Sequence, residues 1–239
     1  MTDTARKVVA ELAGSYIFFL FGTGGIVAFL ATLNTSVPPA GLSPLTLFVI
    51  ALSFGLGIFI GIILTGHISG GHLNPAVTIS LFVAGKFEGR NVIPYIIAQL
   101  VGSVLASATV GALFGTSTAQ RVLYGATVPS GSVAAAFAAE LVMTFFFLWT
   151  ILTIASRSKD TAVISAVLGI YITMMILLIG SISGGSVNPA RSFGPAVLSG
   201  ILLKAGDSQW IYWIAPILGG ILGSLAFKFM NKDKSKIHM

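Results

Sequence analysis

Two stretches of this chain carry, in the same order, residues that a helix at membrane depth ordinarily excludes: SGGHLNPAVT at 69–78 and SGGSVNPARS at 183–192. Each reads as the start of a helix. Asn74 and Asn188 are favoured N-cap residues, Pro75 and Pro189 suit the first helical position, and Ala76 and Ala190 continue it. Gly85 and Gly200 stand where a left-handed residue would close each helix. A helix bounded in this way is about ten residues or roughly 15 Å long, half of a hydrocarbon core of about 30 Å.

The chemistry of such a pair is electrostatic. Each helix N-terminus concentrates roughly half a positive charge, and the amides of Asn74 and Asn188 add donors, so a water held between them finds no acceptor on the protein. Upstream, the glycine-rich backbone leaves the carbonyls of Gly70, Gly71 and His72, and of Gly184, Gly185 and Ser186, without helical partners. Irregular backbone is tolerated at that depth only where it is buried in protein or lines a wet cavity. Capping alone would account for the asparagines and tight turning alone for the glycines. The duplication favours a pore or binding site in addition.

Arg191 is the residue its twin lacks. It occupies the third helical position, where its charge opposes the helix dipole, and the equivalent residue of the first copy is Val77. A buried arginine in a membrane span marks a functional site by default. An ion pair with Glu140, or with Glu11, is the competing account, since buried charges need partners. His67 and His72 flank the first loop without a carboxylate or thiol cluster, and the chain has no cysteine, so no metal site or disulfide is expected. No nucleophile–base set or nucleotide motif stands out, so neither an enzyme nor a cofactor is expected.

The elements that must hold these residues are membrane spans. Of 239 residues 55% are hydrophobic and 8% charged, and the mean hydropathy is +0.97. Runs of about 20 apolar residues fall at roughly 8–31, 45–66, 91–114, 133–155, 161–182 and 209–230. The first run is full length with no small-residue cleavage site after it, so no cleavable signal peptide is expected. Arg6, Lys7, Lys86, Arg90, Arg157, Lys159, Lys228, Lys232, Lys234 and Lys236 fall in the termini and alternate loops, against only Arg121 and Lys204 opposite. Both termini are therefore expected on the cytoplasmic side of a multi-pass cell-membrane protein. The formal charge of +6 reflects that topology and contact with lipid headgroups of the bilayer, with no nucleic acid implied. Asn34-Thr35-Ser36 matches a glycosylation sequon, a pattern too common to carry weight.

The chain is also written twice. Ala10-Glu11-Leu12 returns as Ala139-Glu140-Leu141, and YIIAQLVG from Tyr95 returns as YWIAPILG from Tyr212. Each copy, about 1–114 and about 133–230, holds three spans, an odd number, so the second enters the membrane inverted. The expected fold is an all-α membrane protein, one domain over 1–239, with six transmembrane helices plus two re-entrant half-helices in an inverted repeat.

Six inverted-repeat spans, a glutamate in the first span of each half, and paired Asn-Pro-Ala boxes with arginine after the second resemble the major intrinsic protein family, the aquaporins. The resemblance covers essentially the whole chain. It implies a homotetramer with a pore in each subunit, and glutamates Glu11 and Glu140 that accept hydrogen bonds from the re-entrant loops. It also implies a selectivity constriction, which spacing from the asparagines puts at Phe54, Ile176, Gly185 and Arg191. Apolar residues such as Phe54 and Ile176 otherwise face lipid or a neighbouring helix. The set departs from the water-channel pattern of Phe, His, Thr or Cys, and Arg, which implies a wider and less polar constriction. Ser192 and Ala196 replace the Asp and Arg of the glycerol-conducting branch. The reading is a passive water channel that excludes protons and ions and passes small neutral solutes such as ammonia, hydrogen sulfide or carbon dioxide, with glycerol disfavoured. The alternatives are a broader small-solute facilitator and a non-conducting structural protein. A coupled transporter would need further carboxylates at membrane depth.

Overall fold

A computed structural model describes residues 3–33, 43–204 and 208–231. In chain order these residues form α1 (Asp3–Thr32), α2 (Pro44–Ser69), α3 (Pro75–Val83), α4 (Val92–Phe114), α5 (Thr116–Arg121), α6 (Val133–Arg157), α7 (Thr161–Ser183), α8 (Pro189–Ser199) and α9 (Ile211–Met230), with three short 3-10 turns between them. All except α3, α5 and α8 are long and apolar enough to cross a membrane. The helices outrun the apolar stretches at their polar ends. At the start of α1 an exposed Asp3–Lys7 pair one helical turn apart bridges the first turns, and α6 continues to Arg157. The Asn34 sequon and Lys232, Lys234 and Lys236 lie outside the described residues.

Packing follows the repeat. Helix α1 lies along α2 and α4, α6 lies along α7 and α9, and α2 crosses α7. Each half-helix docks on the last span of the opposite half: α8 on α4, and α3 on α9. The two copies therefore interlock. Small residues make the close crossings possible. A Cβ on Gly55 would stand 2.6 Å from the Gly169 carbonyl oxygen, and Gly219 and Gly223 press directly on the backbone carbonyls of Leu141 and Phe145. Gly57 and Gly61 likewise meet α1 backbone at Phe18 and Gly14. Leu52 and Leu56 of α2 and Ile170, Met174 and Leu178 of α7 point outward and exposed, as a hydrocarbon solvent allows, while Phe18, Phe54, Phe147 and Ile176 fill the interior.

Candidate functional site

The two glutamates set the loops. Both are fully buried. Glu11 Oε1 accepts from Ser69 Oγ (2.7 Å) and His72 N (2.9 Å), and Oε2 accepts from Leu73 N (2.8 Å) and Gln99 Nε2 (2.7 Å). Glu140 repeats the arrangement: Oε1 accepts from Ser183 Oγ (2.6 Å) and Ser186 N (2.8 Å), and Oε2 from Val187 N (2.5 Å). Ser69 and Ser183 in turn accept from Gly71 N (3.1 Å) and Gly185 N (3.2 Å). Across a trans peptide the carbonyl points opposite to the N–H that follows it. With the N–H groups of residues 71–73 and 185–187 all turned to these acceptors, the carbonyls of Gly70, Gly71, His72, Gly184, Gly185 and Ser186 face the other way. No hydrogen bond among the described residues ends on them.

The half-helices begin where expected. Asn74 Oδ1 accepts from Ala76 N (2.8 Å) and Val77 N (3.4 Å), and Asn188 Oδ1 from Ala190 N (3.0 Å) and Arg191 N (3.4 Å). Gly85 and Gly200 have φ of 70° and 75° at the far ends. The spacing does not reveal what the amide nitrogens do. Asn74 Nδ2 donates to Val187 O (2.8 Å), and Asn188 Nδ2 donates to Leu73 O (2.9 Å), so each asparagine grips the opposite loop. Leu73 and Val187 adopt φ of 50° and 46°, a conformation that costs such side chains about 1–3 kcal/mol. The bond from each residue's N–H to a glutamate and from each carbonyl to an asparagine offset that cost. One hydrogen of each Nδ2 is left for another acceptor.

Arg191 is 2% exposed and pairs with neither glutamate. The ion pairs among the described residues are Lys7–Asp3 and Arg90–Glu88, away from this site. The ion-pair account of Arg191 is thereby overturned, because the carboxylate oxygens are already engaged by the loops. Instead Nη1 donates to Gly125 O (2.7 Å), and the guanidinium carbon sits 4.5 Å from the centre of the Phe54 ring. Phe54 is seated by Gly22, where any side chain would collide with the ring, and by an edge contact with Phe18 at 6.1 Å. On the other side a Cβ at Gly185 would stand 3.3 Å from Ile176 Cγ1. The four residues expected to lie together thus form two contacting pairs, Arg191 with Phe54 and Ile176 with Gly185.

Two cavities flank this centre. The larger, about 580 Å³, reaches Gly70, Gly71, His72 and Val77 and opens beside Lys86, Lys159 and Asn231. The smaller, about 40 Å³, is lined by Leu47, Ile50, Gly125, Ile176, Gly184 and Arg191. They use opposite ends of α2 and α7, with Phe54 between. His72 is held by Thr78 Oγ1 (3.1 Å) and by ring contacts with Phe87 and Tyr95, whereas His67 is exposed on the last turn of α2.

Sequence reasoning missed several supporting residues. Tyr95 donates to Ser69 O (2.8 Å) and Tyr212 to Ser183 O (2.6 Å). Both pairs recur in the duplicated stretches, so alignment of the two copies could have found them. Ser103 Oγ, which donates to Ala190 O at 2.5 Å, has glycine as its twin in the other copy, and Gly125 lies between the copies, where no repeat points to it.

Comparison with known proteins agrees with this architecture over the full length. The family model described as Major intrinsic protein matches residues 1–227. The chain is 35% identical to Aquaporin AqpM of Methanothermobacter marburgensis over 248 aligned residues, covering 98% of this chain and 100% of that protein. It is 36% identical to Aquaporin Z of Photorhabdus laumondii over 238 residues, covering 96% and 99%. The X-ray structure of the aquaglyceroporin from Plasmodium falciparum superposes with a TM-score of 0.82 at 27% identity, over 94% of this chain and 95% of that one. With its six spans, its paired Asn-Pro-Ala half-helices and this match, the chain belongs to the major intrinsic protein family of membrane channels.

Proposed function

We propose that this channel conducts water passively, excludes protons and ions, and also passes small neutral solutes. The observation that carries the reading is the reciprocal grip of Asn74 on Val187 and Asn188 on Leu73, which sets two half-helix N-termini against each other. A cation there meets two ends of roughly half a positive charge each. A water there accepts from the spare amide hydrogens and turns its own hydrogens outward. On one side they meet the carbonyls of Gly70, Gly71 and His72, on the other those of Gly184, Gly185 and Ser186. Proton hopping needs one continuous orientation of the file, and this one reverses at its centre.

Phe54, Ile176, Gly185 and Arg191 form the selectivity constriction in this reading. The helix dipole penalises a cation at the third position by about 0.3–1 kcal/mol. The charged hydrogen bond to Gly125 is worth about 1.5–3 kcal/mol and the Phe54 face about 0.5–2 kcal/mol, so the contacts win and hold the guanidinium in place. Its free Nη hydrogens serve passing solutes, Nε being buried, while Ile176 and Gly185 add no polar side chain. That balance admits ammonia, hydrogen sulfide or carbon dioxide beside water. A second reading, a broader facilitator that takes glycerol, is favoured by the missing side chain at Gly185. The positive charge of the termini and alternate loops supports a cell-membrane protein with both termini on the cytoplasmic side, and family membership supports a homotetramer.

The test is osmotic shrinkage of proteoliposomes in stopped flow, with glycerol uptake, ammonia entry and proton leak measured on the same vesicles. Water permeability several times that of empty liposomes, without added proton leak, is the expected result. Permeability equal to that of empty liposomes would sink the proposal in favour of a non-conducting structural role.

A further inference from the structure

The fourth residue after each asparagine carries a hydroxyl, and the two halves serve it from different places. In the first half Thr78 Oγ1 meets His72 Nδ1 (3.1 Å) and Gln99 Nε2 (3.0 Å), with Gln99 supplied by α4. The repeat pairs Tyr95-Ile96-Ile97-Ala98-Gln99 with Tyr212-Trp213-Ile214-Ala215-Pro216, so α9 offers a proline ring where α4 offers an amide. Ser192, the twin of Thr78, takes its hydrogen bond elsewhere. It accepts from Thr127 Oγ1 at 2.7 Å and meets Ser186 Oγ at 2.6 Å. Thr127 lies on the connection between α5 and α6, which joins the two copies and has no counterpart within either.

Thr127 is fully buried, and its carbonyl accepts from Gln209 Nε2 at 2.7 Å. Two residues earlier stands Gly125, whose carbonyl receives Arg191 Nη1. The turn leading there, Leu123, Tyr124 and Gly125, has φ of 48°, 53° and 74° in succession; leucine and tyrosine hold that conformation only when the surroundings restrain them. The bonds from Gly125 to Arg191 and from Thr127 to Ser192 are two rungs between the same two short segments. Without the second rung, the Gln209 bond still holds the Thr127 carbonyl, but the hydroxyl tie that runs beside the Gly125–Arg191 bond is gone. Thr127 also packs on Gly184, where a Cβ would stand 3.1 Å from its Cα.

We propose that Thr127 is a positioning residue for solute selection: its hydroxyl latches the connecting loop to Ser192 and thereby fixes the Gly125 carbonyl that holds Arg191 over Phe54. The inference rests on the reading of Arg191 as part of the constriction. It does not follow from the duplicated architecture, since the latch replaces a bond that the repeat lost at Pro216.

The experiment compares wild type, Thr127→Val, Thr127→Ser and Arg191→Val in proteoliposomes, reading the ratio of glycerol to water permeability. Thr127→Val keeps the side-chain shape and removes the donor, and it raises the ratio up to about fivefold, the equivalent of one hydrogen bond. Thr127→Ser keeps the donor and stays near the wild-type ratio, which a purely packing role of the threonine methyl would not produce. If Arg191→Val leaves the ratio unchanged, the constriction reading itself fails. If Arg191→Val raises it while Thr127→Val matches wild type, the latch alone is overturned. Should Thr127→Val fail to fold, Ser192→Ala removes the acceptor of the same bond and must raise the same ratio; a wild-type ratio there also overturns the latch.

Discussion

Replacing Glu140 with glutamine tests whether the buried carboxylates set the loop geometry. Glutamine offers one oxygen where three donors converge: Ser183 Oγ, Ser186 N and Val187 N. If that oxygen serves Ser183 and Ser186, the new amide N–H₂ faces the N–H of Val187 from a position that now accepts a bond at 2.5 Å. One buried backbone donor is left unpaired, at about 1–3 kcal/mol. Val187 then relaxes from its φ of 46°, its carbonyl leaves Asn74 Nδ2, and a further hydrogen bond of about 0.5–1.5 kcal/mol is lost. Part of the loss returns as released backbone strain, about 1–3 kcal/mol, so the net destabilisation is about 1–3 kcal/mol. For a chain of this size that lowers Tm by about 2–12 °C. Water permeability per channel should fall as well, because the grip between the half-helices opens. The assays are thermal unfolding of the purified protein and stopped-flow water efflux at matched protein content. Glu11→Gln should lose more, since Glu11 also receives Gln99. Wild-type Tm and wild-type water flux for Glu140→Gln would refute the role assigned to the carboxylates.

Three further substitutions address separate parts of the site. Asn188→Ala removes the cap of α8 and the hold on Leu73 O; stability falls by about 0.5–2 kcal/mol, and proton leak, read with an entrapped pH dye, rises above wild type. Gly185→Ala puts a Cβ 3.3 Å from Ile176 Cγ1 on a backbone with φ of 62°, so glycerol uptake falls more than water flux, and an unchanged ratio would place Gly185 away from the constriction. Gly219→Val forces α9 off the Leu141 carbonyl and costs about 1–3 kcal/mol, seen as a lower Tm; a wild-type Tm would contradict the close crossing.

How much could be read in advance depended on whether the physics was local. Span positions follow from apolar length, and helices α3 and α8 follow from Asn-Pro at one end and glycine at the other, all within one stretch of chain. The repeat singles out Glu11 and Glu140 by placing them alike, whereas their role as acceptors for the loops came with the family resemblance. The fourth partner of Glu11 was less legible, since Gln99 has Pro216 as its twin and the copies stop agreeing there. The grip of each asparagine on the opposite loop was not legible. It depends on the positive φ of Leu73 and Val187, and no residue type announces that: glycine would, but these positions hold leucine and valine. The partner of Arg191 was likewise not legible, because the decisive atom is a main-chain oxygen on the connecting loop.

A division of labour explains which residues differ between the halves. Where the copies match, as at Glu11 and Glu140, Ser69 and Ser183, Tyr95 and Tyr212, and Asn74 and Asn188, the shared chemistry shapes two loops and locks them together. A site built only from those residues would present the same face to solutes from either side. The departures, Val77 against Arg191, His72 against Ser186 and Gln99 against Pro216, break that equivalence. In the proposed reading Arg191 needs a neutral partner, because a carboxylate would neutralise a charge that repels cations, and the repeat supplies none. The connecting loop does, through the Gly125 carbonyl. Loss of the Gln99 equivalent at Pro216 leaves Ser192 available to that same loop. One end of the molecule thereby acquires both the charge and the framework that aims it, while the other keeps the 580 Å³ cavity and its histidine.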